Sequence, residues 1–289
     1  YDYKSVVAKY FNPTGTLSTW YEGAEVGDIW GYTVNDLFRS QEDLDSYLSK
    51  VDMTHIAANW NTGDLKYEDI NHDGKVNNGT NTIGNHGDLS VIGNDQPHYQ
   101  YTINGGVSYK GFDFSMLWRG VAKKDMYFYR GSNIYWGFMG GWWESCLTPE
   151  HLDYFRDQPG SKYSGLYEGD ANINTDAYWP RPYLNNTEEA KNKNHANTRY
   201  LQNAAYLRLQ NVQLGYSFPR SITSKMHLEK LRIYFSGENL LTFSKLPSGI
   251  DPVAPVGFPT GGEFFGTAGS GRLTYGADRI YSIGLTVTY

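Results

Sequence analysis

Residues 279–289, Arg-Ile-Tyr-Ser-Ile-Gly-Leu-Thr-Val-Thr-Tyr, alternate strictly with a period of two. Tyr281, Ile283, Leu285, Val287 and Tyr289 are apolar or aromatic, and Ser282, Gly284, Thr286 and Thr288 between them are small or polar. Successive side chains of a β-strand point to opposite faces, so this segment is a strand with one apolar and one polar face. Leu231–Phe243 repeats the pattern, with Leu231, Ile233, Phe235, Leu241 and Phe243 on one face and Arg232, Ser236, Glu238 and Thr242 on the other. Tyr99–Tyr109 sets Tyr99, Tyr101, Ile103, Val107 and Tyr109 against Gln100, Thr102, Asn104 and Ser108. Beyond Lys110-Gly111, Phe112, Phe114, Met116 and Trp118 alternate with Asp113, Ser115 and Arg119, which predicts a tight hairpin at Tyr109–Phe112. Ala205–Phe218 shifts phase from Leu207/Leu209 to Val212/Leu214/Tyr216/Phe218, and a bulge near Gln210-Asn211 accounts for the shift.

Long polar stretches separate these five strands. Residues 1–98 carry a weak strand near Glu25–Val34 and a short helix at Gln41–Leu48, with Ser40 and Asp43 as its capping box. Residues 122–204 hold a second short helix at Pro149–Asp157, started by Thr148-Pro149, and residues 244–278 are rich in Gly and Pro. Long loops weigh against a compact soluble domain, but a membrane barrel has short turns on one side and long loops on the other. If the last strand runs toward the short-turn side, then 1–98, 122–204 and 244–278 all fall on the long-loop side. Lys110-Gly111 and 219–230 fall on the turn side.

Composition agrees with a barrel wall. The 289 residues carry a net charge of −6, so no broad basic surface points to nucleic acid. An aromatic content of 16 % argues against disorder, and the single cysteine, Cys146, excludes an intrachain disulfide or a multi-cysteine metal site. Mean hydropathy is −0.58 and no run of about 18 apolar residues exists, which rules out a membrane-spanning helix but not spanning strands of ~9–11 residues. The expected fold is all-β, a transmembrane antiparallel β-barrel segment with long extracellular loops that contain short helices. A soluble β-sandwich also uses alternating strands and is the rival architecture. Five strands cannot close a barrel, since single-chain bacterial barrels use ~8 or more, so a barrel reading makes the chain a piece of something longer.

The same segments carry a family pattern. Glu22-Gly23 precedes Gly27–Tyr32 (GDIWGY), Gly63–Gly74 (GDLKYEDINHDG), Ile92–Pro97 (IGNDQP) and Tyr109–Phe112 (YKGF). Ala205–Pro219 (AYLRLQNVQLGYSFP), Leu231–Leu241 (LRIYFSGENLL) and Asp251-Pro252 follow. In this order and spacing they resemble the C-terminal part of a SusC/RagA-type TonB-dependent outer-membrane transporter, from about residue 22 onward, with 122–204 the weakest part. The resemblance implies a share of a ~22-stranded barrel, itself closed by an N-terminal plug, that imports oligosaccharides or peptides. It further implies a SusD-like surface lipoprotein as lid, TonB acting through an N-terminal region absent from this chain, and outer-membrane lipid around the wall. The source would be a Gram-negative bacterium of the Bacteroidota type. Residues 1–98 would then be mainly external loop and 99–289 barrel strands and loops, all of one barrel domain, with plug, TonB box and signal peptide outside it.

One motif carries site chemistry. Asp69-x-Asn71-x-Asp73-Gly74-Lys75-x-Asn77 matches the first nine positions of an EF-hand-type loop, with side-chain oxygens at positions 1, 3, 5 and 9. A carbonyl at Lys75 would serve position 7, and Gly74 makes the sharp turn. Position 12 is Thr80 rather than a bidentate acid; the resemblance places an acid just before the Ile-Gly pair, here Asp88, displaced by the insertion Asn78–Gly87. Two readings fit: a structural calcium site, magnesium second, completed by Asp88, or an Asx-rich turn that holds no ion.

No catalytic arrangement stands out, and the chain reads as not an enzyme. The seven histidines lack metal-ligand spacing and read as solvated loop residues, and Cys146 reads as a small packing residue. Asp113, Arg119, Arg232 and Glu238 fall on polar strand faces and would face a barrel lumen. Trp136, Trp142 and Trp143, with Tyr127, Tyr129 and Tyr135, concentrate in one stretch. Lid contact, simple packing and stacking on solute all fit such a cluster. The rivals by function are a secreted calcium-containing β-sandwich that binds glycans, and a glycoside hydrolase, for which no carboxylate pair can be nominated.

Overall fold

The computed structural model describes residues 10–128, 133–140, 147–158, 172–183, 186–253 and 276–289. By its contacts the chain divides into two compact units. One comprises Pro97–Asp125, Asn203–Ala254 and Tyr275–Tyr289; the other comprises Tyr1–Gln96, Met126–Gln202 and Pro255–Thr274.

The first unit is a single curtain of five antiparallel strands. Numbering the described strands in chain order, these are β5 (His98–Tyr109), β6 (Phe112–Lys123), β9 (Tyr206–Ser217), β10 (Lys230–Ser244) and β11 (Ile280–Thr288). They neighbour one another in the order β11-β10-β9-β6-β5, the arrangement of an up-and-down meander. The β5–β6 hairpin closes on Lys110-Gly111, both with positive φ, and Tyr109 pairs with Phe112. The expected bulge is present: Leu117 pairs with Asn211 and Trp118 with Leu209, leaving Gln210 as the extra residue that restores the phase. A second bulge, at Asn239-Leu240 of β10, keeps Leu241 and Phe243 on the face of Leu231 and Ile233.

That face is bare. Val107, Phe112, Leu214, Phe235, Phe243, Ile283 and Leu285 are all exposed, and no second sheet covers them among the described residues. A sandwich would bury these side chains against a partner layer; a barrel wall turns them to lipid. The long connections leave the sheet at the end marked by His98, Lys123, Tyr206, Ser244 and Ile280. The hairpin at 110–111 and a short helical turn at Arg220–Met226 close the other end.

The second unit is built from short pieces around a dense core. Strands β1 (Asp28–Tyr32) and β4 (Leu89–Asn94) form one ribbon, and β2 (Val34–Leu37) and β3 (Leu65–Tyr67) form another. A further pair is β7 (Asp125–Tyr127) with β8 (Leu201–Asn203). Helix Gln41–Leu48 starts where expected, with Ser40 Oγ accepting the Asp43 amide and Leu44 facing the core. Phe38, Leu65, Tyr67, Val76, Phe128, Trp136 and Tyr200 are fully buried. Within residues 10–96 lie the strands β1 to β4, the helix Gln41–Leu48 and much of this core. The helix expected at Pro149–Asp157 is corrected to one 3₁₀ turn, Pro149–Leu152. Beyond it the chain extends because Phe155 donates to Trp179 O and Arg156 exchanges backbone hydrogen bonds with Asn174.

Candidate functional site

The polar face of the curtain is an ordered charge lattice. Arg232 Nε donates to Asp113 Oδ1 at 3.0 Å and Nη2 to Oδ2 at 2.5 Å, while Nη2 also reaches Gln213 Oε1 at 3.0 Å. Asp113 lies on β6 and Arg232 on β10, so the pair spans the strand between them. It can do so because the residue beneath is Gly215, register partner of Asp113, where a Cβ would overlap the guanidinium. Nearer the long-loop end, Arg208 donates to Thr242 Oγ1 at 2.9 Å and to Asp251 Oδ1 at 2.5 Å. Asp251 also accepts the amides of Val253 and Ala277, which ties both ends of loop 244–278 to the wall. Burial pushes the Asp251 carboxyl up, but those two amides and Arg208 outweigh it and hold it below the usual range. Of the residues expected on the polar face, Asp113 and Arg232 are paired; Arg119, beside Arg208 in the register, and Glu238 are exposed.

The loop at 69–77 has the hydrogen bonding of an EF-hand-type turn. Asp69 Oδ2 accepts the Gly74 amide at 2.8 Å, Asn71 Oδ1 accepts Asp73 N at 2.9 Å, and Asp73 Oδ1 accepts Lys75 N at 2.9 Å. Gly74 turns the chain at φ +80°, where a Cβ would strain it. Asp88 plays a different part from the one expected. It is fully buried, Oδ1 accepts the amides of Ile70 and Asn71, and Oδ2 accepts that of Asn77. Three backbone amides converge on its two oxygens, so it anchors the loop from inside. The side chains of Asp69, Asn71, Asp73 and Asn77, with the Lys75 carbonyl, are the donors that could hold a hard cation. Among the described residues no cluster of three or more His, Cys, Asp or Glu side chains is placed to hold a metal ion, this loop included.

An amphipathic curtain with one bare apolar face and one ion-paired polar face is barrel wall, and known proteins agree. TonB-dependent receptor P3 of Formosa agariphila is 25 % identical over 237 residues, 81 % of this chain and 19 % of its own length. TonB-dependent receptor P26 of the same organism is 24 % identical over 274 residues, 92 % of this chain and 23 % of its own. The RagAB peptide transporter superposes with a TM-score of 0.51 at 17 % identity, over 96 % of this chain and 24 % of that one. The open-open state of the RagAB peptide importer gives 0.52 at 17 % identity, over 94 % and 23 %. The chain has the fold of a SusC/RagA-type TonB-dependent receptor. It spans about a fifth to a quarter of the length of these proteins. No family model matches it.

Within that receptor fold, two expected contact residues change role. Tyr135 and Trp136 are 1 % and 0 % exposed, so they are core and not a docking surface. Trp136 Nε1 donates to Phe128 O at 2.6 Å, and Tyr135, Trp179 and Tyr200 pack around its indole. Trp142, Trp143, Tyr129 and Cys146 lie outside the described residues. Two histidines also differ from the solvated expectation. His151 is buried, bridging Thr148 N and Tyr135 O, and burial pushes the His195 imidazole down to about 4. Sequence reasoning missed Arg208 and Asp251; the Asp251-Pro252 pair was visible, but nothing in it pointed to an arginine 43 positions earlier.

Proposed function

We propose that this chain supplies barrel wall and external loops to an outer-membrane importer driven through TonB, working with a SusD-like surface lipoprotein. The observation that carries the reading is the five-stranded curtain whose apolar face is bare and whose polar face is crossed by ion pairs. The bare face meets outer-membrane lipid, and Asp113, Arg119, Arg232 and Glu238 line the lumen. The solute is an oligosaccharide or a peptide; the likeness to a peptide transporter supports the second. TonB acts through an N-terminal region outside these residues. No covalent change to the solute is assigned to this segment. The loop at 69–77 holds calcium as a structural staple, a role its run of oxygen donors supports.

Mild-detergent purification from the native outer membrane tests the transport reading. The expected result is a polypeptide far above 32.8 kDa that brings a surface lipoprotein with it. A 32.8 kDa species that stays soluble without detergent and brings no partner overturns it. For the cation, calcium at a hundred times its Kd should add about 2.7 kcal/mol to the unit that contains the loop. Asp69→Ala should abolish that gain, and an equal gain in the variant rules the loop out.

A further inference from the structure

Asp64 and Lys191 are the most completely buried charged pair among the described residues. Both side chains are inaccessible, and Lys191 Nζ lies 2.8 Å from Asp64 Oδ2. Removing two charges from water costs more than their attraction returns unless the geometry is very good, so a pair buried this deeply needs a reason. Its surroundings are those of a reaction site. Nζ sits 4.8 Å from the ring centre of Tyr183 and 5.7 Å from that of Trp60, and it also donates to Asn59 O at 2.8 Å. Asp64 Oδ1 accepts the Tyr183 hydroxyl at 2.8 Å and Asn192 Nδ2 at 2.9 Å, two donors converging on one carboxyl oxygen. A second carboxylate, Glu188 Oε2, lies 2.9 Å from the same Nζ.

We propose that Lys191 and Asp64 join in an intramolecular isopeptide bond, with Glu188 as the catalytic proton carrier. The proposed step begins with transfer of one proton from the Lys191 ammonium to Asp64 Oδ2, which gives an amine beside a carboxylic acid. Burial favours this, since it pushes the Asp64 carboxyl above the usual range. Nζ attacks Cγ, and the negative charge that develops on Oδ1 is met by Tyr183 and Asn192. Glu188 takes one proton from the attacking nitrogen and returns it to the departing Oδ2. The new C–N bond replaces one C–O bond, and one water leaves; no oxidant or other reagent is needed. Fixed contact between the reactants offsets the dilution by water that makes amide formation unfavourable in solution, where effective molarities reach about 10⁵–10⁸ M for aligned groups. The bond would tie the turn before β3 to the helix Asn186–Lys193, far apart in sequence.

The test is the mass of the denatured full-length parent protein and of its proteolytic peptides. The expected result is a branched peptide joining the Asp64 and Lys191 segments, lighter than their sum by one water, with no tryptic cleavage after Lys191. Separate, unmodified Asp64 and Lys191 peptides from the unsubstituted protein overturn the proposal, and this readout depends on no variant folding. Lys191→Arg should give only unlinked peptides. Asp64→Asn should link with loss of ammonia instead of water. Glu188→Gln should slow linkage by about 10²–10⁴-fold, the usual contribution of a proton-transfer group; linkage at an unchanged rate removes Glu188 from the step.

Discussion

The two units of this chain solve opposite problems with much the same residues. The curtain puts its aromatic and branched side chains on an open face and pairs its charges on the other; Leu214, at the middle of the sheet, is 51 % exposed. The second unit turns aromatics inward, so that Trp136, Tyr67 and Tyr200 are fully buried, and it buries charges with them at Asp64, Lys191, Lys193 and Glu189. One region leaves its apolar surface uncovered among the described residues, and the other covers its own. Tryptophan and tyrosine content therefore says little about exposure here; the period of the pattern says far more.

Substitution breaks the comparison most sharply in the self-covered core. Trp136→Ala removes a fully buried indole and leaves the Phe128 carbonyl without its donor, and should destabilise the second unit by about 3–5 kcal/mol. Chemical denaturation in detergent, followed by hydrogen exchange at Phe128 and Tyr200, checks this; a loss below about 1 kcal/mol would mean the core tolerates collapse there. The curtain gives the contrasting case. Leu214→Arg at an exposed position should be almost neutral if water covers the sheet, within about 0.5 kcal/mol. Lipid should raise the cost to about 2–4 kcal/mol, measured by folding into vesicles. Ser115→Arg, on the polar face of the adjacent strand, should stay near neutral in both.

This contrast also explains what could be read in advance. All five curtain strands, the hairpin at Lys110-Gly111 and the bulge at Gln210 follow from local alternation, because each strand meets its surroundings on two uniform faces. The second unit has strands of three to six residues, too short for a period to show. Its contacts join distant segments, such as Asp64 to Lys191, and a run of aromatic residues at 135–136 reads equally as surface or core until those partners are known. Asp88 shows the same limit: its position before the Ile-Gly pair was visible, but the three amides it accepts are turned toward it only by the folded loop.

Acid should separate the units next. The imidazole of His195 titrates near 4 because burial disfavours its charged form, with the nearby His55 adding to the effect. An unfolded histidine titrates near 6.5, so the unfolded chain takes up its proton first as pH falls. The resulting stability is complete above about 6.5 and is lost between there and about 4, where native His195 is itself protonated. The loss is roughly 3 kcal/mol, since each pH unit between the folded and unfolded values is worth about 1.4 kcal/mol. Unfolding midpoints across this window, read from hydrogen exchange in the second unit, should flatten in His195→Gln; an unchanged slope would assign the acid sensitivity elsewhere.

The smallest effect tests the polar face of the curtain itself. Arg232 and Asp113 are partly exposed, at 18 % and 33 %, so a double-mutant cycle should give only a small coupling. Its sensitivity to Gly215 carries the information. A methyl group at that position would overlap Arg232 Nη2 and lie 2.7 Å from both Asp113 oxygens, so Gly215→Ala should bring the coupling close to zero. A coupling that survives Gly215→Ala unchanged would mean the two charges meet through solvent, and the polar face would then be a hydrated surface instead of a fixed lattice. Its disappearance would show that a glycine in the middle strand is what lets two charges, each one strand away from it, find each other. The same geometry would explain why a strand otherwise rich in leucine and valine gives up a side chain there.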